Sequence, residues 1–335
     1  MTENRVDRRE FIKKSVATSA GLALGLHSFE EQNLLAQMSQ GGRAGDAKPV
    51  GETKMPYGQI KDLKISRVFC GGNLIGGWAH SRDLIYVSSL VKAYHTDEKI
   101  FQTFELAEEM GINTVLTNPV SDRVINRYWN ERGGKIQWIS DCASGPIKEG
   151  VKRSVESGAH AVYVQGGIAD QAVRDGKVAA VGEALDYIRE FKVLGGLGAH
   201  DLETVKAFVK AGFKPDFWVK TLHPDNYWSA TPPENRKVFD AVGPWTNEHG
   251  GYHDNMYCRD PKETIEYMNG LKEPWIAFKV LAAGAVPPKA GFQFAFEGGA
   301  DFLCVGMFDF QVREDVIIAQ QVLSGEIKRT RPWCA

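Results

Sequence analysis

The chain has 335 residues, with 40 basic and 42 acidic side chains, a formal charge of −2 and 43% hydrophobic residues. That length suits one large domain or two small ones, and the near-balance of charge leaves no basic footprint for nucleic acid. The five cysteines show no Cys-x-x-Cys or Cys/His spacing, so no zinc motif is present; Cys70, Cys142 and Cys304 lie in apolar runs, where a thiol packs as a small hydrophobe.

At the start of the chain, Asp7-Arg8-Arg9-Glu10-Phe11-Ile12-Lys13 resembles the twin-arginine export motif, and an apolar run from Val16 to Leu26 follows it. That run is shorter than the roughly 20 residues of a membrane span, and twin-arginine signals are read by a receptor and are not anchors. The resemblance implies export by the twin-arginine translocase, a periplasmic or otherwise extracytoplasmic location in a bacterium, and no membrane anchor. A basic amphipathic N-terminal helix is the alternative. Residues 1–40 are assigned to signal and linker, 41–60 to an N-terminal arm and 61–335 to the catalytic domain.

From Ile65 onward short apolar strands alternate with amphipathic helices, the pattern of a parallel sheet covered by helices. Strands are expected at 66–70, 113–116, 136–139, 161–164, 193–197, 217–222, 276–281 and 302–305. Helices are expected at 97–110, 123–130, 147–157, 178–191, 202–211, 261–269, 290–297 and 313–323, with Asp201 as a cap. Eight such units in about 270 residues match the size of an α/β (β/α)8 TIM barrel, with long loops after the first and sixth strands. A doubly wound open sheet is the other candidate, but no Gly-x-Gly-x-x-Gly follows a strand.

In a TIM barrel the site lies at the C-terminal ends of the strands. That rule selects Asn73, Asn118, Asp141, Gln165, His200, His223 and Asp309. On the sixth strand Phe217 and Val219 suit the helix side, leaving Trp218 and Lys220 to face inward; on the seventh, Ile276, Phe278 and Val280 leave Ala277 and Lys279 inward. Inward lysines near a barrel mouth can form a Schiff base with a carbonyl substrate when a neighbouring cation lowers one pKa. Alternatively each is pinned by a carboxylate such as Asp141 or Asp309.

Val219-Lys220-Thr221 and Lys279 before Ala282-Ala283-Gly284 resemble the deoxyribose-phosphate aldolases, class I aldolases with a Schiff-base lysine on the sixth strand and a second lysine on the seventh. The N-terminal half is similar to another barrel family, the aldo/keto reductases. Phe69-Cys70-Gly71-Gly72-Asn73-Leu74-Ile75-Gly76-Gly77 and the stretch from Asp97-Glu98-Lys99 to Gly111-Ile112-Asn113-Thr114 carry that likeness. It implies NADP as cofactor and a catalytic Asp, Tyr, Lys and His near the second to fourth strands, where this chain has Thr117-Asn118-Pro119, Asp141 and Gln165.

The loops are aromatic. The first contains Trp78, His80, Tyr86 and Tyr94, and the insertion after the sixth strand contains Tyr227, Trp228, Tyr252, His253 and Tyr257. Loops this long in a compact domain are usually functional, and aromatic faces beside Asn, Asp and His suit a sugar ring; packing on the barrel or a homo-oligomer contact is the other use. A divalent metal has candidate ligands in His200, His223, His253, Asp141, Asp254 and Asp309 without a recognisable spacing.

The sequence therefore predicts an exported barrel enzyme acting on a small carbonyl compound or sugar derivative by lyase, aldolase or isomerase chemistry. Lys220 is the expected nucleophile or proton acceptor, Lys279 its electrostatic partner, and Asp141, His200 or His223 the proton carriers. Asn73, Trp78, Asn118, Gln165, Tyr227, Trp228, His253 and Asp309 are the expected substrate contacts. An NADP-dependent oxidoreductase and a non-catalytic sugar-binding barrel are the alternatives.

Overall fold

The structure, a computed structural model, describes residues 55–80, 84, 86–239, 257–329 and 331–335. Residues Lys54–Ala335 form one compact unit; the twin-arginine-like segment, His253 and Asp254 lie outside the described residues. A two-stranded antiparallel hairpin, β1 (Tyr57–Ile60) and β2 (Leu63–Ser66), comes first. Eight strands then close into a parallel barrel. They are β3 (Val68–Gly71), β4 (Thr114–Thr117), β5 (Gln137–Ser140), β6 (Ala161–Val164), β7 (Leu194–Ala199), β8 (Phe217–Thr221), β9 (Trp275–Phe278) and β10 (Phe302–Val305), with β10 pairing back onto β3. The fold is the expected TIM barrel.

The helices among the described residues are α1 (Val87–Tyr94), α2 (Asp97–Glu109), α3 (Asp122–Arg132), α4 (Ile147–Glu156), α5 (Gly166–Arg174), α6 (Val178–Glu190), α7 (Leu202–Lys210), α8 (Pro261–Asn269), α9 (Pro288–Glu297) and α10 (Asp309–Ser324). Side-chain caps set several starts: Thr96 accepts from the Lys99 N–H, Asp201 from Glu203 and Asp260 from Glu263, each satisfying an otherwise orphaned first-turn donor.

Four features depart from the expected pattern. The hairpin reaches into the expected arm, with Ile60 and Ile65 buried. Its turn is Lys61-Asp62, with Lys61 at φ 53°, and carries no Asn-Gly or Asp-Gly signal. α1 lies inside the long first loop, and α5 opens on Gly166-Gly167, a pair that reads as a loop. β9 stops at Phe278, three residues before its expected end, because Lys279 has φ 57°.

Strand register decides which side chains enter the barrel. A Cβ placed on Gly195 would stand 2.9 Å from Leu185 of α6, so Gly195 faces the helices. A Cβ on Gly196 would stand 2.5 Å from Phe217 and 2.8 Å from Tyr163, so these three share the interior. Paired residues in a sheet lie on one face and successive residues alternate. Gly196 pairs with Phe217, Gly198 with Val219 and Ala199 with Lys220. Phe217, Val219 and Thr221 therefore point inward, and Trp218 and Lys220 point toward the helical layer. The expected inward face of β8 is thus reversed. In a barrel both faces of a strand are buried, so apolar alternation does not distinguish lumen from helix side. The small residues do: Gly196 and Gly198 leave the interior space that Tyr163 and Phe217 fill.

The N-terminal end of the barrel is clamped by the C-terminal tail. Asp301 pairs with Arg331 at 2.9 Å. The Trp333 ring lies 4.0 Å from the Arg67 guanidinium and 3.6 Å from that of Arg329. This face is the stabilising end of such barrels.

Candidate active site

At the C-terminal end of β7 the chain turns from Ala199 into His200 and Asp201. Asp170, on α5 and fully buried, receives four donors from that turn and its neighbour. Its Oδ2 accepts from the His200 N–H at 3.0 Å and from His200 Nδ1 at 2.9 Å; its Oδ1 accepts from the Asp201 N–H at 3.4 Å and from Thr204 Oγ1 at 2.6 Å. A carboxylate only accepts, so the proton sits on Nδ1 and His200 Nε2 carries the lone pair. The ring lies 5.3 Å from that of Phe278 on β9. Burial lowers the imidazole pKa; Asp170 opposes this, and Lys279 and Lys220 add to it. Near neutral pH His200 is an uncharged base.

Strand alternation would send Lys279 to the helix side with Ala277. Its left-handed backbone, φ 57°, turns it instead, and Nζ stands 3.7 Å from the centre of the Tyr257 ring. Burial dominates the pKa shifts of His200 and His223, lowering both, and of Cys304, raising it; the Lys279 ammonium has a smaller lowering influence on each of the three. With Tyr257 beneath it, the ammonium lies on the mouth side of the barrel. A non-glycine residue in this conformation is strained, by about 1–2 kcal/mol.

Across the mouth, at the end of β5, Asp141 Oδ1 accepts from Asn118 Nδ2 at 3.1 Å and from the Ala143 N–H at 3.0 Å. Burial outweighs these donors and pushes its pKa up to about 6. Cys142, the next residue, is also left-handed at φ 48°. Burial raises the pKa of the Tyr163 phenol, with Asp141 and Cys304 adding to it, and Lys279 opposes the burial that raises that of Cys304.

The other expected residues are placed as follows. Lys220 is 1% exposed and lies behind the barrel wall. His223 is fully buried with both nitrogens committed: Nδ1 bonds the Pro224 carbonyl at 2.8 Å, and Nε2 accepts the N–H groups of Tyr257 and Cys258, each at 3.0 Å. Burial lowers its pKa to about 4. This corrects the expected proton carrier to a latch that fastens the returning insertion. His223→Phe is expected to destabilise the protein by about 1–3 kcal/mol for each N–H left without an acceptor, measured by urea unfolding; an unchanged midpoint would deny the latch.

Asn118 holds Asp141 and caps the turn at Val120, so it supports the site. Gln165 Oε1 caps α5 through the Ile168 N–H. Asp309, expected at the substrate, is tied to Lys99 at 2.9 Å and to the Tyr94 hydroxyl at the start of α10. Tyr227 packs its ring 5.7 Å from His223. Asn73 is exposed, as are Trp78 at 56% and Trp228 at 82%. Asp170 escaped the sequence, and Tyr257 stood there only as one of several loop aromatics. Tyr257 bonds His80 Nδ1 at 2.9 Å through its hydroxyl. Asp170 sits mid-helix, and only an acid one turn past Gln165-Gly166-Gly167 marked it.

Among the described residues no group of three His, Cys, Asp or Glu side chains is placed to hold a metal ion, and no helix is long and apolar enough to cross a membrane. The ends of β4, β5 and β6 carry Asn118, Asp141 and Gln165, which do not match the Asp, Tyr, Lys and His that a nicotinamide-dependent aldo/keto reductase uses.

No family model matches the chain, and no curated protein matches it. Among solved structures, it is similar to a protein of Pseudomonas aeruginosa assigned as an aldo-keto reductase. The TM-score is 0.54 at 17% identity, over 83% of this chain and 98% of that one. A second structure with the same assignment and source gives 0.54 and 17% over 84% and 100%. An aldo-keto reductase from a Medee basin deep-sea metagenome library gives 0.47 and 9% over 81% and 90%. Aldolase and synthase barrels are also among the neighbours. The first two matches share the fold of this chain, a closed parallel barrel.

Proposed function

We propose that the barrel mouth catalyses proton transfer on a small hydroxy-carbonyl compound, of the sugar or sugar-derivative class, by isomerase or retro-aldol lyase chemistry. The observation that carries this is the Asp170–His200 pair, a base of fixed tautomer at a strand end; the Phe278 ring that the His200 ring packs against precedes Lys279, whose ammonium lies over the Tyr257 ring. His200 Nε2 takes the proton from the carbon next to the carbonyl, and the C–H electron pair passes through the new C=C bond to the carbonyl oxygen. The Lys279 ammonium stabilises that oxygen, and Asp141 in its protonated form delivers the proton that makes an enediol. Return with the roles exchanged completes an isomerisation: the Asp141 carboxylate takes the proton of the neighbouring hydroxyl, and the imidazolium protonates the former carbonyl carbon. General acid–base groups so placed contribute about 10²–10⁴-fold.

The test is solvent exchange. A panel of small aldoses, ketoses and keto acids is incubated with the protein in D2O and followed by NMR. Loss of the α-hydrogen signal from at least one member supports the reading; no exchange from any member removes it.

The pH dependence follows from the two groups. His200 must be neutral and is so above its lowered pKa, while Asp141 must hold its proton and loses it as pH rises through about 6. The rate is expected to be bell-shaped and highest on the acidic side of neutrality, falling above about pH 6. In Asp141→Asn the turnover falls by about 10²–10⁴-fold and the residual rate loses its fall above pH 6. A wild-type rate that climbs through pH 6 to a plateau at pH 8 would exclude Asp141 as the acid. The twin-arginine-like start supports export; Arg8→Lys with Arg9→Lys should retain the protein in the cytoplasm.

A further inference from the structure

We propose that Lys220 is a positioning residue of this site, which holds the ends of β7 and β8 from behind the barrel wall and takes no covalent part in the reaction. This inference rests on the reading of His200 as the base. An ammonium has three donors and no acceptor, and all three are used. Lys220 Nζ donates to the His200 carbonyl at 2.7 Å, to the Thr221 carbonyl at 2.9 Å and to Thr221 Oγ1 at 2.8 Å. Thr221 Oγ1 in turn reaches the carbonyls of His200 and Tyr257, at 2.8 and 2.9 Å. One buried cation therefore ties together the residue that carries the base, the end of β8 and the segment that carries Tyr257 beneath Lys279.

Burial lowers the pKa of the ammonium and Arg259 adds to this, while Cys258, Asp170 from α5 and Asp201 at the start of α7 oppose it; what holds the group in place is its three acceptors. Asp170 is the carboxylate that holds the His200 ring. The backbone N–H of His200 is held by Asp170 and its carbonyl by Lys220, so both peptide groups that orient the imidazole are pinned by buried charges from outside the lumen. The groups facing His200 are Asp170, Lys220, Lys279 and the Phe278 ring. A nucleophilic amine has to lose its proton, shed its acceptors and reach the substrate; this one is 1% exposed on the far side of the strand.

Three measurements decide it, and the first two need no turnover. In the first, the wild-type protein is treated with glycolaldehyde and borohydride, digested and mapped by mass spectrometry. The exposed Lys61 and Lys152 should be labelled and Lys220 should not; an adduct on Lys220 overturns the proposal. In the second, the His200 imidazole is titrated by NMR in Lys220→Met and Lys220→Arg. Loss of the cation in Lys220→Met should raise the titration midpoint, whereas Lys220→Arg, which keeps the charge, should keep it.

On a substrate found by the exchange panel, both variants should lose about 10–100-fold in kcat, since Arg cannot reach the same three acceptors. Wild-type kcat in Lys220→Arg, or an unmoved midpoint in Lys220→Met, overturns the positioning role; if the Met variant does not fold, the Arg variant and the adduct map decide alone. Absent α-hydrogen exchange in the wild type would remove the isomerase or lyase reading while leaving the titration result standing, so the two failures are distinguishable.

Discussion

Asp170→Asn is expected to lower turnover by about 10²–10⁴-fold with little change in KM. The carboxylate accepts from the His200 N–H, the His200 ring, the Asp201 N–H and the Thr204 hydroxyl. An amide of the same shape offers one oxygen and one NH2. If the oxygen keeps the backbone and Thr204 donors, the NH2 meets Nδ1, which must then accept. The ring proton moves to Nε2, and the base is lost with the geometry intact. Thr204→Val removes one donor from Asp170 and leaves the ring bond, so it should keep most of the activity. Measuring kcat and KM for both variants, with thermal unfolding as the control, separates a tautomer effect from loss of structure. Equal turnover in Asp170→Asn and wild type would remove the dyad from the mechanism.

Lys279→Gly and Lys279→Ala should both be inactive or nearly so, with losses of roughly 10²–10³-fold in kcat, the scale for removing one donor to a developing oxyanion. Their stabilities should differ in an unusual direction. At an ordinary extended or helical position glycine is less stable than alanine by roughly 0.5–1 kcal/mol. At φ 57° alanine retains the strain that lysine bears and glycine does not, so Lys279→Gly should be the more stable of the two by about 1 kcal/mol. Both variants lack the ammonium and its contact with Tyr257, so that contact cancels in the comparison. Urea unfolding of the pair checks it. Alanine equal to or above glycine would mean that the backbone at Lys279 is not held in the left-handed region, and with it the redirection of the side chain into the mouth would fall.

Most of the barrel was legible because its signal is local. Amphipathic helices such as Leu202–Lys210, with a capping Asp201 before them, and apolar strands such as Phe302–Val305 declare themselves by periodicity and composition. The hairpin at Tyr57–Ser66 was not, since its turn uses Lys61-Asp62 where glycine or asparagine is the recognisable choice. The candidate site was legible in part. His200 and Asp141 follow from position at strand ends alone.

Lys220 was misplaced because the lumen of a barrel is as apolar as its outer wall, so Phe217 and Val219 satisfy either face; only the packing of Gly195, Gly196 and Tyr163 against other elements assigns it. Lys279 reached the mouth for a reason that alternation does not contain, a left-handed residue that ends β9. Asp170 was missed, and Tyr257 was not singled out among the loop aromatics, because each meets its partner only across the fold. Asp170 lies 30 residues before His200 in sequence, and Tyr257 enters from the far end of the insertion to stand against His80.

The central claim is that His200 is a neutral base whose proton is held on Nδ1 by Asp170. The measurement that addresses it most directly is 15N NMR of the imidazole in the wild-type protein at pH 7. A protonated Nδ1, an unprotonated Nε2 and a titration midpoint below the ordinary histidine value are expected. A ring that is cationic at pH 7, or that carries its proton on Nε2, would contradict it.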